Sequence, residues 1–66
     1  MFALLNTTQV VNVYPGEYID STDGLVQEPS KITDMKFGHG TVKVFFENGR
    51  EREFKIGACV KVYFPL

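Results

Sequence analysis

The stretch Lys36–Ile56, KFGHGTVKVFFENGREREFKI, decides the fold. Asn48-Gly49 lies between two runs rich in apolar residues, and Asn-Gly in that setting is the strongest short-range hairpin signal. A second turn, Gly38-His39-Gly40, precedes the first run. The register follows from matching faces. With a two-residue loop at Asn48-Gly49, Phe46 would face Glu51 and Val44 would face Glu53, setting apolar side chains against carboxylates. With a three-residue loop, Glu47-Asn48-Gly49, and Gly49 left-handed in a bulge, Phe46 pairs with Arg50 and Val42 with Phe54. Val42, Val44, Phe46, Phe54 and Ile56 then share one face, and Lys43 meets Glu53 on the other. A slip of one residue would turn every side chain over, so the apolar pattern selects the bulged register.

The same matching extends outward. A two-residue loop at Gly38-His39 or at His39-Gly40 keeps Thr33, Met35 and Phe37 on the face of Val42, Val44 and Phe46. Either glycine supplies the positive φ of a primed turn. Downstream, Val60 to Phe64 alternates, with Val60, Val62 and Phe64 inward and Lys61 and Tyr63 outward. A loop at Gly57-Ala58-Cys59 pairs this strand back on the previous one, Ile56 against Val60 and Phe54 against Val62, and Pro65 closes it at an edge.

Upstream, Phe2–Leu5 reads as a short strand or core plug, broken by Asn6-Thr7-Thr8. Gln9–Tyr14, with Val10, Val11 and Val13, reads as a strand ended by Pro15-Gly16. Glu17–Ser30 is irregular. Its apolar pairs Tyr18-Ile19 and Leu25-Val26 are expected to pin it to the core. It suits a solvated connector or a binding loop. Asp20, Asp23 and Glu28 do not match the spacing of a calcium loop. No window keeps a 3.6-residue apolar period, so no helix is expected.

The expectation is therefore an all-β single domain over residues 1–66: about five short antiparallel strands with a long early loop. Curling such a sheet into a small barrel hides its apolar face and its edges. The order of strand, long loop, three tightly turned strands and a last short strand resembles an SH3-like barrel. Phe37-Gly38-His39-Gly40-Thr41-Val42, followed by Phe46-Glu47-Asn48-Gly49 and Phe54, is similar to the Tudor-like SH3 barrels of some nucleic-acid-associated bacterial proteins, including the tail module of certain DNA helicases. The resemblance covers residues 37–54 and implies the fold before any partner.

Composition narrows the function. One cysteine excludes an intrachain disulfide, and one histidine with it excludes a zinc set of Cys and His ligands. Six phenylalanines and three tyrosines must supply the core instead. MFALL is too short and uncharged for a signal peptide, and no run is long enough to span a membrane. A single thiol suits a reducing cytoplasm. The net charge of −1 is uneven. Residues 1–34 carry −4, from Glu17, Asp20, Asp23, Glu28 and Asp34 against Lys31. Residues 35–66 carry +3, from Lys36, Lys43, Arg50, Arg52, Lys55 and Lys61 against Glu47, Glu51 and Glu53. That balance argues against a strongly electrostatic DNA binder and against an acidic DNA mimic.

No catalytic set emerges. His39 sits between turn glycines, where it reads as a residue tolerated at positive φ. Cys59 lies at the other end of a strand from it and reads as a semi-buried structural thiol. Ser21, Ser30 and the threonines lack triad partners. No cofactor or metal is called for. The outer face of the meander, carrying Lys36, Lys43, Phe45, Lys55, Lys61 and Tyr63, is the candidate binding surface. Lysines interleaved with aromatics suit phosphates and bases, but an outward Phe45 and near-neutral charge favour a protein partner. The primary expectation is a small non-catalytic adaptor or accessory factor, of bacterial or phage type, that binds another protein. The alternative is a weak nucleic-acid-binding accessory domain. Either would exist as a monomer or as a homodimer formed by edge-strand pairing.

Overall fold

The computed structural model describes residues 1–66. Six strands, β1 (Phe2–Gln9), β2 (Tyr18–Asp20), β3 (Pro29–Phe37), β4 (Thr41–Phe46), β5 (Glu51–Lys55) and β6 (Cys59–Pro65), form one antiparallel sheet in the order β1-β6-β2-β3-β4-β5. There is no α-helix, only a 3-10 turn at Val10–Asn12. The sheet is open, with β1 and β5 as its edges. It nevertheless folds over itself, because one cluster of nine buried residues draws Val42, Val44 and Phe46 from β4 together with Val60 and Val62 from β6.

The β4–β5 hairpin has the bulged register. Val42 pairs with Phe54 and Lys43 with Glu53. The Phe46 N–H donates to the Arg50 carbonyl (3.0 Å), and the Gly49 N–H to the Phe46 carbonyl (3.0 Å). Gly49 has φ +88°, the left-handed conformation the bulge requires. Asn48 Oδ1 accepts the Arg50 N–H at 3.0 Å, so the asparagine closes the turn with its own side chain. Val42, Val44 and Phe46 are buried as this register demands. Phe54 is only half-buried, and Ile56, beyond the end of β5, is exposed.

The β3–β4 turn is a two-residue loop, His39-Gly40, closed by the Gly38 N–H on the Thr41 carbonyl at 2.9 Å. Gly40 has φ +76° and no non-glycine residue has a positive φ, so His39 is not left-handed. A negative then positive pair is the sign pattern of a type II turn, not of the primed turn expected. Phe37 and Met35 pair with Val42 and Val44, but a bulge between Ile32 and Asp34 shifts the phase. Thr33 is thereby turned out to solvent and Ile32 takes its place in the core. The swap is favourable because isoleucine gains far more from burial than threonine does.

Three other expectations fail for one reason, the partner each segment finds. Residues 6–8 do not break β1. They continue it against β6, Asn6 opposite Val62 and Thr8 opposite Val60, and threonine suits a strand. Gln9–Tyr14 is not a strand. The Val10 N–H is taken by the Ala58 carbonyl (2.8 Å), and Val13 donates back to Val10 (3.3 Å), so the chain turns and inserts both valines into the core. Finally, β6 does not pair with β5. It crosses to the far half of the sheet between β1 and β2, where Val62 faces Ile19 and Asn6. Pro65 ends an interior strand, not an edge, and is tolerated because β2 reaches only to Tyr63.

Two substitutions test this register. Nothing lies within 4 Å of a Cβ built on Gly49, so the penalty there is purely conformational. Gly49→Val should lower stability by about 1–2 kcal/mol and Gly49→Asn by clearly less; equal thermal midpoints would contradict the left-handed bulge. Val44→Asp places an unpaired carboxylate in the core and should unfold the domain, a cost of several kcal/mol. Lys43→Asp, on the other face, should leave the circular dichroism spectrum unchanged.

Candidate functional site

The outer face of the sheet is built from alternate residues, and β6's position divides it. Lys36, Lys43 and Glu53 form one cross-strand row, and Asp34, Phe45 and Glu51 the next. Lys55, opposite Thr41, completes this half. Four of the six expected site residues, Lys36, Lys43, Phe45 and Lys55, are therefore brought together on β3–β4–β5. Lys61 and Tyr63 lie on β6, separated from those strands by β2.

The charged half is internally matched. Lys43 Nζ pairs with Glu51 at 3.4 Å, diagonally, instead of with Glu53 opposite it. The same ammonium stands 6.0 Å from the Phe45 ring centroid. Phe45 is half-buried beneath it and does not stand open to water. Three lysines share these strands with Asp34, Glu51 and Glu53; Lys36 stands opposite Lys43 and Lys55 opposite Thr41, and the equal number of the two signs leaves no basic field.

The other half is aromatic. Leu4, Tyr63 and Tyr18 form a continuous row across β1, β6 and β2, extended by Lys31 on β3. The Phe2 ring tilts onto Tyr18 with centroids 5.5 Å apart, and Lys31 Nζ is 5.9 Å from the same tyrosine ring. Leu5, Tyr18, Tyr63, Phe64 and Pro65 line a groove of about 300 Å³. Tyr63 was legible from alternation. Tyr18, Phe2 and Leu4 were not, because three residues of β2 show no period and Phe2–Leu5 resembles core.

Comparison with known families, curated proteins and solved structures finds no match to this chain. Its site must be read from geometry.

The early loop, residues 20–28, is stapled to the β4–β5 hairpin by polar contacts. Asp20 Oδ1 accepts the Thr22 and Glu28 N–H groups at 3.2 and 2.8 Å. The buried Ser21 hydroxyl donates to the Glu28 carbonyl (2.7 Å) and accepts from Asn48 Nδ2 (2.9 Å). Arg50 Nε pairs with the Glu28 carboxylate at 3.2 Å, and Arg52 donates to the Asp20 carbonyl at 3.0 Å. Arg52 also stacks on Phe54, 4.5 Å from the ring centroid. Leu25 and Val26, expected to anchor the loop, are instead fully exposed at its tip. Hydrogen bonds to Ser21 and Asp20 hold the loop, so its apolar pair is free to face outward.

His39 and Cys59 are both exposed, which corrects the semi-buried thiol. The turn that carries His39 lies against the β5–β6 connection, its Gly40 carbonyl accepting the Ile56 N–H at 3.1 Å. No three His, Cys, Asp or Glu side chains converge where a metal ion could be held.

The loop staple has a direct test. Ser21→Val removes a donor and an acceptor at once: Asn48 Nδ2 loses its partner, and the Glu28 carbonyl keeps only the main-chain N–H of residue 21. It should cost about 1–3 kcal/mol and accelerate proteolytic cleavage within residues 22–27. A thermal midpoint and cleavage rate equal to wild type would show that the staple is not what holds the loop.

Proposed function

We propose that the protein is a small non-catalytic binding module that engages another protein through the outer face of its sheet, with the 20–28 loop beside it. The observation that carries this reading is the aromatic row Leu4–Tyr63–Tyr18, with Phe2 packed on its end. Eleven large apolar residues are exposed against nine buried in the core, a proportion that suits a chain with surface to cover. Tyrosines with one apolar body and one polar tip suit a surface that is wet when free and dry when bound. Lys31 and Glu17 at the margin would set orientation.

The SH3-like reading is retained as part of the proposal. Its support is the adjacency of β1 and the last strand, and the long loop resting on the β4–β5 hairpin; the seam between β1 and β5 is open. The matched charges on β3–β4–β5 favour a protein partner over a nucleic acid, since Lys43 is already engaged by Glu51. No helix is long and apolar enough to cross a membrane, and we place the module in the cytoplasm on its single free thiol.

Capture experiments with immobilised wild-type and variant protein test the proposal. Tyr63→Ala should lose captured protein partners, a weakening of roughly 2 kcal/mol or more, while the fold persists by circular dichroism. Phe45→Ala, on the charged half, should retain them. Retention on single-stranded DNA that falls steeply with salt, with protein capture unaffected by Tyr63→Ala, would establish the nucleic-acid reading instead.

A further inference from the structure

The two edges of the sheet are unlike. Four of the five residues of β5 are charged, Glu51, Arg52, Glu53 and Lys55, and charge on a short edge strand discourages pairing with another chain. β1 has eight residues and no charged side chain, and the first charged side chain of the protein is Glu17. Phe2, Leu4 and Leu5 on this edge are exposed. Nothing in β1 carries the usual protection except a bulge at Leu5, which has no partner in β6.

That bulge fixes what can pair here. The Leu66 N–H donates to the Met1 carbonyl and the Val10 N–H to the Ala58 carbonyl, so main-chain groups of Met1 and Val10 face β6. Main-chain direction alternates along an antiparallel strand. With the register on either side of Leu5, it follows that Phe2, Leu4, Thr7 and Gln9 turn their N–H and C=O groups to the open side. The intervals are two, three and two residues. An ordinary strand presents such groups every second residue and would match only half of this edge. Reversed, however, the series 2, 4, 7, 9 has the same spacing, and an antiparallel copy of β1 carries the same irregularity at the matching place.

We propose that β1 pairs with β1 of a second copy, antiparallel about a twofold axis beside Leu5 and Asn6, with Phe2 opposite Gln9 and Leu4 opposite Thr7. The pairing meets no like-charge repulsion, and each copy satisfies the edge the other exposes. It joins two six-stranded sheets into one and leaves the charged β5 edges outermost.

Sedimentation equilibrium across a concentration series tests this. Wild type should show twice the monomer mass at high concentration. Thr7→Pro removes an N–H that faces away from β6, so it should halve the mass with the circular dichroism spectrum retained. If that proline disturbs the strand, the double variant L4K/T7K serves instead. It sets two ammonium groups directly opposite each other at both Leu4–Thr7 pairs of the interface and should also be monomeric. L4K/T7E sets opposite charges in those positions and should restore the dimer. A wild type that stays monomeric at its highest soluble concentration overturns the proposal. So does a folded Thr7→Pro that remains dimeric, an L4K/T7E that stays monomeric, or a mass that grows beyond two copies.

Discussion

The left-handed turn at Gly49 is the constraint on which the remaining structure depends. By absorbing one extra residue, it sets Phe46 opposite Arg50 and brings Phe54 of β5 onto the face that carries Val42, Val44 and Phe46 of β4. That face is the floor onto which Ile32, Ile19, Val60, Val62, Val10 and Val13 pack. Without the bulge Phe46 would face Glu51 and Val44 would face Glu53, setting carboxylates into the apolar surface that the first and last thirds of the chain cover. In a domain of 66 residues with nine buried apolar side chains, no second core exists to compensate.

The hairpin also organises polar contacts. The face that buries Val44 turns Arg52 inward opposite it, and the arginine reaches the Asp20 carbonyl while stacking on Phe54. Asn48, required by the turn, uses its oxygen to hold Arg50 and its amide nitrogen to hold Ser21. One hairpin thus positions an otherwise irregular loop by directed bonds, which leaves that loop's apolar residues, Leu25 and Val26, available at its tip.

Burial is divided unevenly between the two sides of the sheet. The inner face is mainly apolar, with Arg52 turned inward opposite Val44, whereas the outer face changes character from matched charge on β3–β4–β5 to aromatic on β1–β6–β2. Placing β6 beside β1 and β2 creates this asymmetry, since it gathers Tyr63, Tyr18, Leu4 and Phe2 from three distant parts of the chain. A binding surface of this kind belongs to the topology and not to any one segment.

The β4–β5 hairpin was readable from local pattern: Asn48-Gly49 is a turn signal, and alternation across a short loop leaves one register that matches faces. The two-residue β3–β4 loop, the outward direction of Lys43 and Lys61, and an all-β class without α-helix were legible in the same way. What the sequence could not determine was partners far along the chain. Asn6-Thr7-Thr8 is a strand because β6 lies beside it, and Val10–Asn12 is a turn because Ala58 takes the Val10 N–H. Half of the candidate site, Phe2, Leu4 and Tyr18, was hidden for the same reason. Main-chain hydrogen bonding is nearly indifferent to side-chain identity, so pattern settles pairing only where a short loop limits the choices. Beyond that reach, the burial of a shared core decides which strands meet, and that is a property of the whole fold.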